Sequence, residues 1–158
     1  MTDIDLCSAL REVVDVLSSF EKCGMVEFER AVCGVAALKD PRSITPLLGM
    51  LRDEAPDDSA MYLLIHAAEA FDDETYVANF INCAPFLKRN SPQWASVVMM
   101  RVLNNDSTRQ IVTRRLRDSP DDVRDAAIWL LEGINAEDSS FLAKTMAPLL
   151  AAKSKKIT

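Results

Sequence analysis

The sequence predicts an all-α fold in which the helices follow one another in pairs, and three observations carry that prediction. Apolar residues recur at i, i+3 or i+4, and i+7 in nearly every segment, with no sustained alternation of the kind that marks strands. Side-chain acceptors and prolines stand between the segments, where helices begin. The turns also recur at a nearly constant interval.

Leu6, Leu10, Val13, Leu17 and Phe20 form one stripe, so residues 3–21 should be an amphipathic helix. Phe28, Ala31/Val32, Val35 and Leu38 give a second helix. Late in the chain, Val123, Ala126/Ala127, Leu130/Leu131 and Ile134 repeat the pattern, as do Phe141/Leu142, Met146 and Leu149/Leu150. Only 97–102 competes as a strand, and its flanks favour helix. Ser91-Pro92 and Ser119-Pro120 each offer an N-cap acceptor followed by proline at the first helical position, where the missing N–H has no intrahelical partner to lose. Asp121 and Asp122 then fall in a first turn, favoured by the helix dipole. Asp40-Pro41, Asp57-Asp58 and Asp72-Asp73 mark further boundaries, and Pro46 belongs to a first turn starting at Ser43. Pro85 and Pro148 fall inside apparent helices and should kink or shorten them.

The inter-helix turns near Asp40, Asp72, Asp106 and Ala136 lie 32, 34 and 30 residues apart. A helix-pair period near thirty is the mark of an α-solenoid, in which each pair buries its face against the next. Residues 36–53, around Lys39-Asp40-Pro41-Arg42, resemble the junction and second helix of a HEAT-like repeat. Residues 119–127 resemble the start of such a repeat's first helix. The expected architecture is a single all-α domain, 1–158. It has an N-terminal capping helix (1–23), a HEAT-like solenoid of four pairs (24–53, 57–89, 91–117 and 119–151, within 24–152) and a polar tail (153–158) that frays.

Composition narrows the function. A chain of 158 residues buries roughly 70% of its unfolded surface, so its core needs no metal or disulfide. Four glycines (24, 34, 49 and 133) are too scattered to cradle a phosphate. One histidine, His66, leaves zinc and triad chemistry short of parts. Cys7, Cys23, Cys33 and Cys83 form no C-x-x-C pair; they are expected as small unpaired core side chains in a reducing cytoplasm. The acidic start, Met1-Thr2-Asp3, is unlike a signal peptide, and the longest apolar runs fall far short of the ~20 residues that span a bilayer. No catalytic residue, metal, cofactor or small-molecule substrate is expected.

Charge falls in blocks. Residues 53–74 carry eight acids and no Lys or Arg; 101–117 carry five arginines against Asp106; 118–138 carry seven acids against Arg124. Much of this is capping and solvated turns, but the 53–74 cluster exceeds what caps require and fits an acidic rim for a basic protein partner. The helix 60–71 is apolar nearly all round, so it should lie centrally. His66 and Glu69, at i, i+3, share one face and either satisfy each other at a partly buried seam or face a partner. Ile128 and Trp129 lie off their helix's main stripe; Trp129 should pack on the adjoining repeat or else stand as an exposed interface aromatic. Met99, Met100 and Met146 read as core filler. The arginines suggest phosphate contacts, and Trp94, Trp129 and Asp125 could imitate a glycosylase groove. A formal charge of −6 argues against direct nucleic-acid binding.

The segment 61–77, running through His66 and Glu69 to Phe71-Asp72-Asp73 and then Tyr76-Val77, is similar to the central stretch of the bacterial immunity protein 30 family. The similarity continues through Ser91-Pro92-Gln93-Trp94-Ala95 and 101–105, and covers roughly 45–133. The resemblance implies a small cytoplasmic, non-enzymatic protein of a polymorphic-toxin or contact-dependent inhibition system, which binds a cognate toxin domain and blocks it. A nuclease toxin with a basic cleft suits an acidic partner. The expected partner-binding residues are Asp57, Asp58, Asp72, Asp73, Glu74 and Tyr76, with His66, Glu69 and Trp94. The alternative is a HEAT-like scaffold or adaptor unrelated to toxins.

Overall fold

The computed structural model describes residues 3–154, which contain helices, turns and loops and no strand. Met1, Thr2 and residues 155–158 of the polar tail lie outside these residues. The helices are α1 (Asp3–Ser18), α2 (Phe20–Ala37), α3 (Ile44–Gly49), α4 (Asp58–Glu69), α5 (Asp73–Asn90), α6 (Pro92–Asn104), α7 (Asp106–Asp118), α8 (Asp121–Glu137) and α9 (Leu142–Lys153), with 3-10 turns at Pro41–Ser43 and Ser139–Phe141. Of the expected pairs, α6 packs on α7 and α8 on α9.

Packing divides the chain into two compact units, one up to Asp72 and one from Asp73, so the helices of the second pair belong to different units. In the first, α1 packs on α2, and α4 on both α2 and α3. Val13, Phe28, Ile44, Leu48, Met61 and Ile65 fill its core, and Phe20 meets Phe28 edge to face at 5.9 Å. Arg52 donates from Nη2 to the Leu17 carbonyl at 3.0 Å, satisfying an orphan acceptor at the end of α1. Asp40 caps the turn before α3, accepting from Arg42 N at 3.0 Å and from its guanidinium at 2.6 Å.

In the second unit α6 touches α5, α7, α8 and α9. Trp94, Val98, Met99, Val102 and Leu103 bury its length. Contacts also join α5 to α7, α7 to α9 and α6 to α8. A further contact of α5 along α8 joins helices that are not in successive pairs. The carbonyls ending α6 are satisfied from the next helix: Thr108 Oγ1 donates to Val102 O at 2.6 Å and Arg109 Nη1 to Leu103 O at 2.7 Å.

Several expectations are corrected in detail. The first helix stops at Ser18, and Gly24 (φ 76°, ψ −179°) breaks the backbone within α2, a conformation that only glycine adopts readily. Asp57, Asn105 and Asp138 do cap, each accepting from the N–H two residues on. Ser91 occupies an N-cap without capping, its backbone N–H held by Leu87 O instead. Ser119 is not a cap, because α8 begins one residue later, after Pro120, and its hydroxyl donates to Arg115 O. α5 runs through Pro85 to Asn90, carried past it by the buried Ala84 and Leu87, and α9 likewise includes Pro148. Of the cysteines only Cys83 is buried; Cys7, Cys23 and Cys33 are exposed and free. Met146 is 61% exposed rather than core filler.

Candidate protein-binding surface

The residues expected to bind a partner separate into exposed, paired and buried groups. In the first unit they lie along and beside α4. Ala60, Met61, Leu64, Ile65 and Ala68 turn inward, which leaves Asp58, Tyr62, His66 and Glu69 on the outer side at helical spacing. His66 is exposed, not held at a buried seam, and its ring leans on Tyr62 at 6.4 Å between centroids. Asp57 caps the helix through Ser59 N at 2.8 Å, and Asp58 favours the dipole of the first turn. Asp72 follows the other end of α4. A rise of 1.5 Å per residue puts the two acidic ends about 17 Å apart, so the acids of 53–72 are two charged ends joined by an aromatic–polar face. Tyr62 was missed by sequence reasoning. Its signal was the i, i+4, i+8 spacing of Asp58, Tyr62 and His66.

In the second unit Asp73 is exposed in the first turn of α5. Glu74, next to it, is committed internally. Its Oε2 accepts from Arg114 Nη2 at 2.5 Å, and its Oε1 from Arg115 Nη2 at 2.7 Å and Nε at 3.1 Å. The hydrogen bond from Arg114 is the main reason that its carboxyl sits below the usual glutamate range; partial desolvation opposes the shift and Arg115 adds to it. Tyr76 and Trp94 are 4% and 6% exposed, so they build the core and offer a partner no contact area.

The arginine block is largely spoken for. Arg114 and Arg115 hold Glu74, and Arg109 pairs with Asp106 while capping α6. On α8, Arg124 pairs with Asp121 and donates to Ser154 O at 2.9 Å. Trp129 does not pack away as expected: it is 45% exposed, with Lys88 Nζ 5.3 Å above its ring. This cation–π contact uses the off-stripe position without burying it. No group of three or more His, Cys, Asp or Glu among the described residues could hold a metal, and none of their helices is long and apolar enough to cross a membrane.

An all-α scaffold with an exposed aromatic–acidic helix face is common to many binding proteins, and relatives decide among them. The family model for immunity protein 30 matches residues 14–112. The chain belongs to the immunity protein 30 family. The match covers well over half of the chain. It reaches back into α1, where the sequence offered no resemblance, and ends inside α7, short of residue 133. All of α4 to α6 lies within the shared region, whereas α8 and α9 lie beyond it. No curated protein and no solved structure matches the chain.

Proposed function

We propose that this chain neutralises a cognate toxin domain by binding over its active-site surface, and that the toxin is a nuclease with a basic cleft. Membership of the immunity protein 30 family carries the reading. The exposed carboxylates support the choice of toxin, because they can stand where substrate phosphates would lie. In this reading the chain works in the cytoplasm, without a cofactor, catalysis or direct contact with nucleic acid, and the helix pairs are HEAT-like repeats serving as the frame.

The α4 face supplies the specific contacts. A helix of 12 residues is about 18 Å long and 10 Å wide, far less than the ~800 Å² per partner of a stable interface. Neighbouring surface must add the rest as a rim around Tyr62.

Co-expression tests the reading. The product of the reading frame beside this gene should arrest growth when expressed alone, and this chain should restore it. Reversing charge at Asp57, Asp58, Asp72 and Asp73 together should slow association and flatten its dependence on salt. If the neighbouring product is harmless, or toxic whether or not the chain is present, the reading fails.

A further inference from the structure

The outer face of α4 sets a carboxylate, a phenol ring and an imidazole one turn apart. Asp58, Tyr62 and His66 are each exposed, and their i, i+4, i+8 spacing stacks them in one column. Successive members of such a column have Cβ atoms about 5–6 Å apart. The ring of Tyr62 is braced on its His66 side, with centroids 6.4 Å apart and planes tilted by 38°, and the residue is 40% exposed.

The two acids that precede the ring differ. Asp57 Oδ1 accepts from Ser59 N at 2.8 Å, so that carboxylate is spent on the cap. Asp58 makes no hydrogen bond or ion pair among the described residues. An uncommitted anionic acceptor thus stands one helical turn from an exposed aromatic ring. Its own stretch of chain brings no cation to it, because 53–74 holds eight acids and no Lys or Arg.

A carboxylate at that distance from a ring fits one side chain better than others. An arginine guanidinium is planar, stacks on a ring face and keeps its N–H fork free to meet a carboxylate at the ring's edge. A lysine ammonium is a compact, strongly hydrated point charge, and it gains from only one of the two groups at a time. An anionic ligand would be repelled by Asp58.

We propose that the Asp58–Tyr62–His66 column binds an arginine of the partner protein, its guanidinium flat on Tyr62 and forked onto the Asp58 carboxylate, with His66 bracing the ring. The inference rests on the reading that α4 faces the toxin and narrows it: the covered toxin surface presents an arginine to this face, and positive charge alone does not suffice.

Nuclear magnetic resonance on the full chain tests it with acetyl-tetraarginine amide and acetyl-tetralysine amide, two peptides of equal charge. His66 is the only histidine in the sequence, so its ring C–H signals report on the column directly. They should shift saturably with the arginine peptide, at about tenfold lower concentration than with the lysine peptide. Tyr62→Leu and Asp58→Asn should each erase that preference, whereas Tyr62→Phe, which keeps the ring, should retain it. Both positions are exposed, so the variants should keep the wild-type helical circular dichroism. Equal responses to the two peptides, a preference that survives Tyr62→Leu, or no saturable shift would each overturn the arginine site. Titrating the toxin domain encoded beside this gene with the same variants separates the two readings. Tight binding that Tyr62→Leu and Asp58→Asn leave intact overturns the arginine site and keeps the immunity reading. An arginine preference in a chain that the neighbouring product does not bind overturns the immunity reading and keeps the site.

Discussion

Glu74, in the first turn of α5, accepts a two-point hydrogen bond from Arg115 near the end of α7, at 2.7 and 3.1 Å. Arg114 binds the other carboxylate oxygen. Each charge also suits the dipole of its own helix end. Two elements some forty residues apart are fastened by one carboxylate, and an acid that looked like rim is structural. Its depressed pKa means that the folded state favours the ionised form. The resulting stability is present above the ordinary glutamate pKa of about 4.3 and is lost as pH falls through the lower folded value. Glu74→Gln should therefore lower Tm at neutral pH, with the gap from wild type closing as the solution is acidified below that range. Thermal melts from pH 7 downward check it.

Ser91 is fully buried, and its Oγ has no hydrogen-bond partner among the described residues. A working N-cap serine loses about 1 kcal/mol on replacement by alanine. Here Ser91→Ala removes an unsatisfied buried hydroxyl, so the change should be neutral or stabilising. Urea unfolding at constant m-value separates the two outcomes.

Gly24 has open space where a Cβ would go, so any cost of Gly24→Ala comes from the backbone. Its φ of 76° with an extended ψ is a region held almost solely by glycine, and alanine there should cost roughly 1–3 kcal/mol. Gly34→Ala, also with nothing within 4 Å but inside regular helix, should instead stabilise slightly. The pair, compared by denaturant midpoint, checks the assignment.

Phe80 is wholly buried on α5, and Trp94 nearly so on α6. Phe80→Ala should lose about 3–5 kcal/mol. Trp94→Ala should lose a similar amount, and any loss of toxin protection should follow the unfolded fraction. Folded Trp94 variants, such as Trp94→Phe, should keep wild-type affinity.

The all-α class and the helix boundaries near Asp57 and Asp106 were legible because periodicity and capping act locally. The immunity-family resemblance in 61–77 was legible as well. Side-chain commitments across the chain were not. Nothing local to the run Asp72-Asp73-Glu74 separates the exposed Asp73 from Glu74, which two arginines some forty positions away neutralise. Tyr76 and Trp94 carry the residue types of interfaces yet point inward, while Met146 carries a core type yet points out. Which side of a helix is covered depends on its neighbours, and single-helix periodicity cannot tell a core stripe from a stripe awaiting a partner. The one-residue shift of the α8 start at Pro120 is the ordinary limit on helix ends.

The most direct test of the central claim is calorimetric titration of the toxin domain encoded beside this gene with the wild-type chain and with Asp58→Arg/Tyr62→Ala/His66→Ala. All three positions lie on the outer face of α4, so the variant should stay folded. Wild type should bind tightly, and the variant at least ~100-fold more weakly, a difference of about 2.7 kcal/mol. No binding by the wild type, or equal affinities for the two proteins, would contradict the account.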